Sequence, residues 1–461
     1  MISPPLSPDA LPALIAPVPG PLSRAWLERL RAVESPNITS ISSDFPIVWQ
    51  EASGAAVLDV DGNTYLDATS SFGVALIGHG HPAVRQAIAA QSDLLVHSMG
   101  DVHPARVRIE LLEQLTQIAP GELGRAVLCT GGAEAVEVAL KSALLYTGKP
   151  GVIAFSGAYH GLGHGALDVT SRRDFRAPFF AQLARNTHWV PFPDPRWPPQ
   201  GIQPNDILRY CLGRVEELLV HPAIGGVPFG AVLVEPIQGR GGSIAPPEGF
   251  LRGLRDLCDR HRIALIFDEI FTGCGRTGRW FACDHEAVVP DLLCVGKALG
   301  GGLPIAACLG LPAVMRAWGQ SQGEALHTST FLGNPVCCAA ALATLEVMQR
   351  QNIPARAEAL GGQMLHKLQN LLRDLPWIAQ VRGRGLMLAV ELRDPVTAQP
   401  AKQLTWSVVT EALQRGLIVL PCGVHGNAIQ LTPSALMTEQ QLDSMCEILA
   451  LSIRAVLPAH V

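Results

Sequence analysis

A single lysine, Lys297, stands between a short apolar run and three consecutive glycines in the stretch VGKALGGGLP (295–304). The residues before it, 291–296, are typical of a buried strand, and lysine is rarely buried without a partner. The stretch is not a phosphate-binding loop of the GxxxxGK[ST] type, because Asp291 and Ala298 stand where that loop needs a glycine and a hydroxyl. From this stretch alone, the simpler interpretation is a lysine that extends to solvent.

A carboxylate is expected at the same edge of the fold as this lysine. Asp268 follows the apolar run IALIF, which is typical of another buried strand. Active sites of open α/β sheets lie at the carboxyl ends of the strands, so Asp268 and Lys297 are expected on one edge. For two such residues the simplest interpretation is still a partly buried ion pair.

Two further strand ends carry residues suited to chemistry. RAVLCT runs into Gly132 and Ala133 at the start of a helix, where free N–H groups and the helix dipole suit a phosphate. GVIAFS is followed by Tyr159 and His160 between glycines. An amine for a Schiff base, a carboxylate for a ring nitrogen, a phosphate cradle and an aromatic cover together describe a site for pyridoxal 5'-phosphate (PLP).

The elements that must position these residues follow from the hydrophobic pattern. From Pro82 onward, helical segments alternate with the continuous apolar runs RAVLCT, GVIAFS, GAVLVEP, IALIFDE, DLLCVG and IAACLG, which predicts a mostly parallel sheet covered on both faces. Residues 46–70 are typical of an antiparallel meander, and the pattern after Leu345 is α+β. The predicted organisation is a poorly structured Pro-rich lead (1–25), a segment contributing to a small domain and the active-site entrance (26–81), a large domain (82–344) and a C-terminal small domain (345–461).

Composition limits the classes of partner. Charged residues make up 16% of the 461 residues, against about 25% in ordinary soluble domains, which indicates a large apolar interface between subunits. A net charge of −5 without a basic run gives no reason to expect nucleic acid. Eleven scattered cysteines without a CxxC pair indicate reduced thiols in a cytoplasmic protein. No signal peptide and no apolar run of membrane-spanning length is seen.

With these segments in place, the sequence resembles the class III aminotransferases, PLP enzymes of fold type I that include ornithine, acetylornithine and 4-aminobutyrate aminotransferases. The matching segments, in family order from about residue 46 onward, are DVDGNTYLDATSSFGVALIGHGHP, CTGGAEAVEVALKSA, IAFSGAYHG, VLVEPIQGRGG, LIFDEIFTGCGRTG, VGKALGGGLP and HTSTFLGNPVCCAAALATLE. The resemblance implies an α/β fold: a large domain with a mostly parallel seven-stranded sheet between helices, and an α+β small domain formed by both chain ends.

The resemblance also implies roles for individual residues. Lys297 forms the Schiff base, and Asp268 keeps the pyridine nitrogen protonated. The other cofactor-binding residues it implies are Gly132 and Ala133 at the phosphate, Tyr159 and His160 at the ring, Glu235 and Gln238 beside the cofactor, and Thr330 at the phosphate of a neighbouring subunit. Thr330 in that role implies a homodimer or a tetramer. His79 and His81 in GHGHP are weak evidence of a metal pair, and the resemblance implies a structural turn there, so no metal is expected.

The implied activity is transfer of an amino group between an amino acid or amine and a keto acid or aldehyde.

Two positions depart from the family pattern. QGRGG has Arg240 where relatives have a glutamate, and NAIQLTP has Gln430 where they have the arginine that pairs with it and binds 2-oxoglutarate. Arg240 either binds a substrate carboxylate or replaces a lost pair at the surface. A racemase or epimerase of the same family is the alternative activity, and Phe72 and Met99 are expected as apolar pocket walls.

The glycines of GCGRTG (273–278) formally match the dinucleotide fingerprint GxGxxG. The residues that follow them, RWFACDHEAVVPD, do not have the pattern of the helix that such a site requires. We therefore expect a glycine-rich loop at this place and no dinucleotide.

Overall fold

A computed structural model describes residues 5–221, 224 and 226–458 of the chain. Its helices are α1 (Pro21–Val33), α2 (Ser70–Gly73), α3 (Pro82–Leu94), α4 (Arg106–Ile118), α5 (Gly132–Thr147), α6 (His164–Val169), α7 (Arg173–Arg176), α8 (Ile207–Val220), α9 (Phe250–His261), α10 (Pro312–Met315), α11 (Pro335–Arg350), α12 (Ile353–Leu372), α13 (Lys402–Leu413) and α14 (Glu439–Val456). Its strands are β1 (Trp49–Ser53), β2 (Ala56–Asp59), β3 (Thr64–Asp67), β4 (Arg125–Cys129), β5 (Gly151–Phe155), β6 (Thr187–Val190), β7 (Phe229–Val234), β8 (Ala264–Asp268), β9 (Leu292–Val295), β10 (Ala306–Gly310), β11 (Ile378–Arg384), β12 (Met387–Leu392), β13 (Leu417–Ile418), β14 (Leu420–Cys422) and β15 (Ala428–Leu431).

The larger of two compact units, Pro82–Glu358, is built around a seven-stranded sheet. The strand order is β4-β10-β9-β8-β7-β5-β6, and β10 is antiparallel to both of its neighbours while the other pairs are parallel. Every residue of the central strands β7 and β8 is buried, as continuous apolar runs covered on both faces should be. The predicted mostly parallel seven-stranded sheet between helices is confirmed.

Helix α5 fills much of the core of this unit. Ala135, Ala139 and Ala143 recur every four residues, so they share one face of the helix, and all three are buried. Their small side chains bring the helix close to strands β9 and β10. This packing fixes the N-terminus of α5 at the carboxyl end of β4, because only two residues separate the strand from the helix.

The other unit combines both ends of the chain, Met1–His81 and Ala359–Val461. Strands β1, β2 and β3 form the predicted antiparallel meander, and β13 extends it in parallel to β3. A second sheet has the order β11-β12-β15-β14 and is antiparallel throughout. The unit is α+β, as the sequence predicted. Its second part begins at Ala359, inside α12, whereas the pattern of the sequence changes near residue 345.

The Pro-rich beginning of the chain was expected to be poorly structured. From residue 5 it is instead an ordered part of the smaller unit and makes hydrogen bonds to strand β3 and to the residue before it. Ala13 and Thr64 exchange two backbone hydrogen bonds of 3.0 and 2.8 Å. The amides of Ile15 and Ala16 both donate to Oδ1 of the buried Asn63, at 2.8 and 2.9 Å. These contacts could not be inferred from composition, because they depend on acceptors that lie far along the chain.

All eleven cysteines are free thiols, and all but one are buried. In the part of the chain that the structure describes, no helix combines the length and the apolar character needed to cross a membrane.

Candidate active site

Four neighbouring strands of the large sheet carry the candidate residues at their carboxyl ends. Asp268 ends β8, Lys297 follows β9 by two residues, Glu235 follows β7 directly, and Tyr159 and His160 come after β5. The strands lie side by side in the order β9-β8-β7-β5 and are mutually parallel. The topology therefore brings these side chains to one edge of the sheet, where ligands of open α/β folds bind.

Asp268 and His160 form a buried contact at this edge. Oδ2 of Asp268 is 2.7 Å from Nδ1 of His160, and the exposed fractions of the two residues are 4% and 2%. Oδ1 of Asp268 accepts the amide of Ile270 at 3.1 Å. The His160 amide donates to Oγ1 of Thr170 at 2.9 Å, which anchors the loop. Nε2 of His160 is buried and has no hydrogen-bond partner among the described residues.

The Lys297 amine approaches from the next strand. Its Nζ lies 4.2 Å from the centroid of the Phe271 ring and makes no hydrogen bond within the described ranges. Burial lowers the pKa of Lys297 to about 8, against the opposing effect of the Asp268 and Glu235 carboxylates. An amine with this pKa is partly neutral near physiological pH, as nucleophilic attack on a carbonyl requires.

The backbone at Lys297 is strained. Its φ is 43°, a left-handed value that a residue with a long side chain seldom adopts. The residue begins a short 3₁₀ turn, Lys297–Gly300, and Gly301 follows with φ of 58°. Strain of this kind persists where the surrounding structure holds a side chain in a required direction, and here it holds the amine beside Phe271.

Glu235 ties two of the strand-end loops together. Its Oε1 accepts the amide of Tyr159 at 3.0 Å, and its Oε2 accepts the amide of Gly239 at 2.8 Å. Gln238 strengthens the same connection, because its Nε2 donates to the carbonyl of Ser156 at 2.9 Å. Burial raises the pKa of Glu235. The Tyr159 loop is thus held in place from the neighbouring strand.

Arg240 extends from the loop after β7 toward the aromatic residues of the β5 side. Its guanidinium carbon lies 4.9 Å from the centroid of the Tyr159 ring and 5.8 Å from that of Phe175. The two rings are 6.0 Å apart in an edge-to-face arrangement. Arg240 is half-buried.

The start of α5 offers unpaired backbone donors. The helix is preceded by Gly131 without a side-chain cap, and the amides of Gly132 and Ala133 donate to no described residue. Gly161, with φ of 126°, packs so closely that a Cβ there would lie 2.6 Å from the Cβ of Ala133. Only glycine therefore lets the loop after His160 pass the helix N-terminus. Free amides and the positive end of the helix dipole suit a phosphate group.

Four further candidate residues stand outside the strand ends of the large sheet. In the large unit, Thr330 is exposed with no hydrogen bond from its side chain to a described residue, and Met99 is 57% exposed. In the other unit, Phe72 is 62% exposed, and Gln430 lies on β15 opposite Ala389 of β12. Their roles remain predictions.

The histidines of GHGHP lie in the smaller unit. Nε2 of His79 is 2.9 Å from Oδ2 of Asp67, and His79 exchanges two backbone hydrogen bonds with Gly54. These contacts give His79 a role in holding the turn. No cluster of three or more metal-binding side chains is found in the described ranges.

Two aromatic residues near the site were missed by the sequence reasoning. Phe271, under the Lys297 amine, could have been found because it follows Asp268 by three residues on the same edge. Phe175 could not, because it lies in the α7 segment, far from any strand end. The glycine-rich stretch 273–278 forms turns, as expected, and is followed by a short 3₁₀ helix, Ala282–His285, in place of the long α-helix of a dinucleotide site. Glu269 holds the start of this 3₁₀ helix by accepting the amides of Ala282 and Cys283 at 2.7 and 2.8 Å.

The polar groups of the site fit PLP. The Lys297 amine, which has no hydrogen bond in the described structure, suits the aldehyde of the cofactor. The buried Asp268 carboxylate, held by His160 and the Ile270 amide, suits the ring nitrogen. The free amides at the N-terminus of the 16-residue helix α5 suit the phosphate.

Comparison with known proteins gives the same picture over nearly the whole chain. The family model described as "Aminotransferase class-III" matches residues 38–453. A 4-aminobutyrate aminotransferase of Mycobacterium leprae (strain TN) is 36% identical over 448 residues, 95% of this chain and 97% of that protein. An alanine/serine racemase of Pyrococcus horikoshii is 32% identical over 455 residues, 98% of this chain and 94% of that protein. An amine transaminase from an uncultivated Pseudomonas species, solved in its PLP-bound form, has a TM-score of 0.84 at 30% identity and covers 92% of this chain and 98% of its own.

Proposed function

Because the chain belongs to the class III aminotransferase family and is a PLP-dependent aminotransferase, we propose that Lys297 is the residue that holds the cofactor. The family, the enzyme class and the cofactor expected from the sequence are confirmed. The proposal for Lys297 rests on its amine, which lies 4.2 Å from the centroid of the Phe271 ring and has no hydrogen-bond partner among the described residues, with a pKa that desolvation lowers to about 8. A Schiff base needs such a partly neutral lysine.

Bound PLP supplies an electron sink that weakens the bonds at the α-carbon of an amine substrate. Asp268 is the residue we assign to the pyridine nitrogen. Its carboxylate is kept in one orientation by His160 and the Ile270 amide, so it can hold a proton on the ring nitrogen without moving. His160 acts through Asp268 and is a positioning residue.

The phosphate is assigned to the amides of Gly132 and Ala133. The methyl side chain of Ala133 offers no donor, so the backbone amides and the helix dipole have to supply the binding at this point. Thr330 of a second copy is the further donor we propose. Because Thr330 makes no side-chain hydrogen bond within the described chain, its hydroxyl is available for this role.

Tyr159 would lie against one face of the ring in this assignment, and Glu235 and Gln238 keep its loop in place. The bond from the Tyr159 amide to Glu235 and the bond from Gln238 to the Ser156 carbonyl support it.

Lys297 would also act as general acid and base. Its amine, when free, would move the proton at the substrate α-carbon.

The proposal for the substrate starts from the named relatives. The relative from M. leprae acts on 4-aminobutyrate by its name, and we propose amino acids or amines of this size as donors, with Phe72 and Met99 as apolar walls. A racemase is the second candidate. It is supported by the 32% identical alanine/serine racemase and by Gln430, a neutral amide where aminotransferases of this family carry an arginine for the keto acid.

One experiment separates the two activities. The purified holoenzyme is given a panel of single-enantiomer amino acids and simple amines, including 4-aminobutyrate and alanine, with a keto acid or aldehyde acceptor. An aminotransferase releases a keto acid or aldehyde in step with consumption of the donor. With a racemase, the amino acid loses its optical purity and no keto acid or aldehyde is released. Lys297→Ala is the control and should do neither while remaining folded by circular dichroism.

We also propose that the enzyme works as a homodimer or a tetramer in the cytoplasm. The large unit exposes apolar side chains that a partner would cover: Leu94, Val96, Val102, Leu326 and Phe331. Large exposed apolar side chains are the kind of surface that a subunit interface covers. Eleven free thiols are consistent with a reducing compartment.

A further inference from the structure

The loop that carries Arg240 is rigid at its base. Gln238 and Ile244 exchange two backbone hydrogen bonds of 3.0 Å, which close the loop into a narrow turn. The side chains of Gln238 and Glu235 anchor this base to the neighbouring loop after β5. Arg240 therefore extends from a fixed position on the edge that carries Lys297.

The charge of Arg240 is not neutralised by the chain around it. No carboxylate of the described residues lies within 4.0 Å of its guanidinium, which contacts the Tyr159 and Phe175 rings. Arg172 provides a comparison on the same ring. Its guanidinium carbon is 5.0 Å from the Phe175 centroid, but its nitrogens bind the Asp174 carboxylate at 2.6 and 3.2 Å. Arg172 already binds an anionic group, whereas the guanidinium of Arg240 can still bind one.

Arg240 is also within electrostatic reach of the reacting amine. Its positive charge is one of the effects that lower the pKa of Lys297, after burial. A guanidinium that stacks on aromatic faces still has its N–H groups free along its edge. Two of these N–H groups can donate in parallel to the two oxygens of a carboxylate. A half-buried arginine that has no carboxylate within 4.0 Å among the described residues, and that lies beside Tyr159, is placed to receive a charged substrate group.

We propose that Arg240 binds the substrate carboxylate, so that the preferred substrates carry a carboxylate besides the reacting amine or carbonyl group. This inference rests on the proposed function and assigns the substrate class of its site. It also explains how the enzyme can do without a charged residue at Gln430. The carboxylate is bound from the large unit, by an arginine at the position where relatives have an acid.

The test uses pairs of substrates that differ only in this charge: alanine with alaninamide, and 4-aminobutyrate with 4-aminobutanamide. Arg240→Met keeps the apolar stem and removes the fork. We expect kcat/KM for the carboxylates to fall about 10- to 150-fold, the size of a charge-assisted hydrogen bond, and kcat/KM for the amides to change by less than about threefold. Arg172→Met is the matched control, because it removes an equally stacked arginine that already has its anion, and both substrate classes should stay within about threefold.

Equal losses for carboxylates and amides in Arg240→Met would overturn the proposal and make Arg240 a support for Tyr159. Unchanged kinetics for the carboxylates would overturn it too. Arg240→Lys retains the charge without the fork, and its carboxylate kcat/KM should lie between wild type and the Met variant.

Binding of a non-reacting carboxylate tests Arg240 even if no amine is turned over. Calorimetric titration of the holoenzyme with butyrate should give a Kd that rises about 10-fold or more in Arg240→Met and stays unchanged in Arg172→Met. Butyrate binding that is the same in all three proteins would overturn the proposal. Absence of turnover with every amine would instead count against the proposed aminotransferase function, and the titration keeps the two failures apart.

Discussion

Nδ1 of His160 lies 2.7 Å from Oδ2 of Asp268, although the two residues are 108 positions apart in the chain. Both are buried, so the carboxylate has exchanged most of its water for one imidazole and one backbone amide. A buried carboxylate that keeps its charge needs such partners. The contact therefore fixes the orientation of the Asp268 carboxylate.

We predict that Asp268→Asn leaves PLP bound but lowers the rate of the half-reaction by about 10²–10⁴-fold. The amide has the same shape and can still contact His160, but it has no charge to hold a proton on the ring nitrogen. Absorbance of the bound cofactor reports retention, and single-turnover mixing with the best donor reports the rate. Asp174→Asn, an exposed carboxylate paired with Arg172, serves as the control and should be near wild type. A rate for Asp268→Asn within about tenfold of wild type would mean that the ring proton is held by another group.

His160 should behave as a positioning residue. His160→Leu removes the hydrogen bond between the imidazole and the Asp268 carboxylate and leaves only the Ile270 amide to orient it. We expect kcat to fall by about tenfold or more and KM to change by less than about threefold, because the substitution acts through Asp268 and removes no contact with the substrate. His160→Gln can still donate to Asp268 and should restore most of the rate. A Leu variant with the wild-type kcat would show that the Ile270 amide alone is sufficient.

The lowered pKa of Lys297 gives a prediction for cofactor capture by the apoprotein. The neutral amine is the reactive form, so the second-order rate of PLP attachment should rise with pH and reach half its maximum near pH 8. An ordinary lysine would reach that point near pH 10.4. Arg240→Met should move the midpoint upward, because the Arg240 charge lowers the pKa of Lys297. Stopped-flow absorbance measures the rate, and Lys297→Ala provides the blank. A midpoint near 10 in the wild-type protein would contradict the burial of the amine.

The proposed role of Thr330 makes cofactor retention depend on assembly. Sedimentation at micromolar concentration should give a homodimer or a larger species. Thr330→Ala should keep that species and weaken PLP retention by about 3- to 10-fold, the effect of one lost hydrogen bond of about 1 kcal/mol. Thr328→Ala changes a nearby exposed threonine of the same loop and should leave retention unaffected. A fully active monomer, or equal effects of the two substitutions, would contradict the assignment.

The edge of the sheet that carries the site could be predicted from the sequence because strand ends are local signals. The apolar runs before Asp268, Lys297 and Tyr159 each end at a polar residue or a glycine, and parallel strands place such ends together. Strand β6 was missed because only one of its four residues is fully buried, so its hydrophobic pattern is weak.

Contacts that join distant loops could not be predicted from the sequence. The bond between His160 and Asp268 depends on the β7 strand that lies between β5 and β8, and the stacking of Arg240 on Tyr159 depends on the turn closed by Gln238 and Ile244. The positive φ of Lys297 could not be predicted either, because a lysine in a sequence does not indicate a left-handed backbone as a glycine does.

The bound N-terminal stretch has a consequence for anyone who shortens the protein for expression or crystallisation. Gln441, a buried residue of α14, donates from Nε2 to the carbonyls of Pro8 and Ala10 at 2.9 and 3.1 Å, and Asn63 accepts from Ile15 and Ala16. A truncation that starts at residue 21 would remove the partners of Nε2 of Gln441 and of Oδ1 of Asn63, at about 1–3 kcal/mol for each atom left unsatisfied. Such a version should melt several degrees lower and expose apolar surface of the smaller unit. A fusion tag is therefore better placed ahead of the intact stretch than substituted for it.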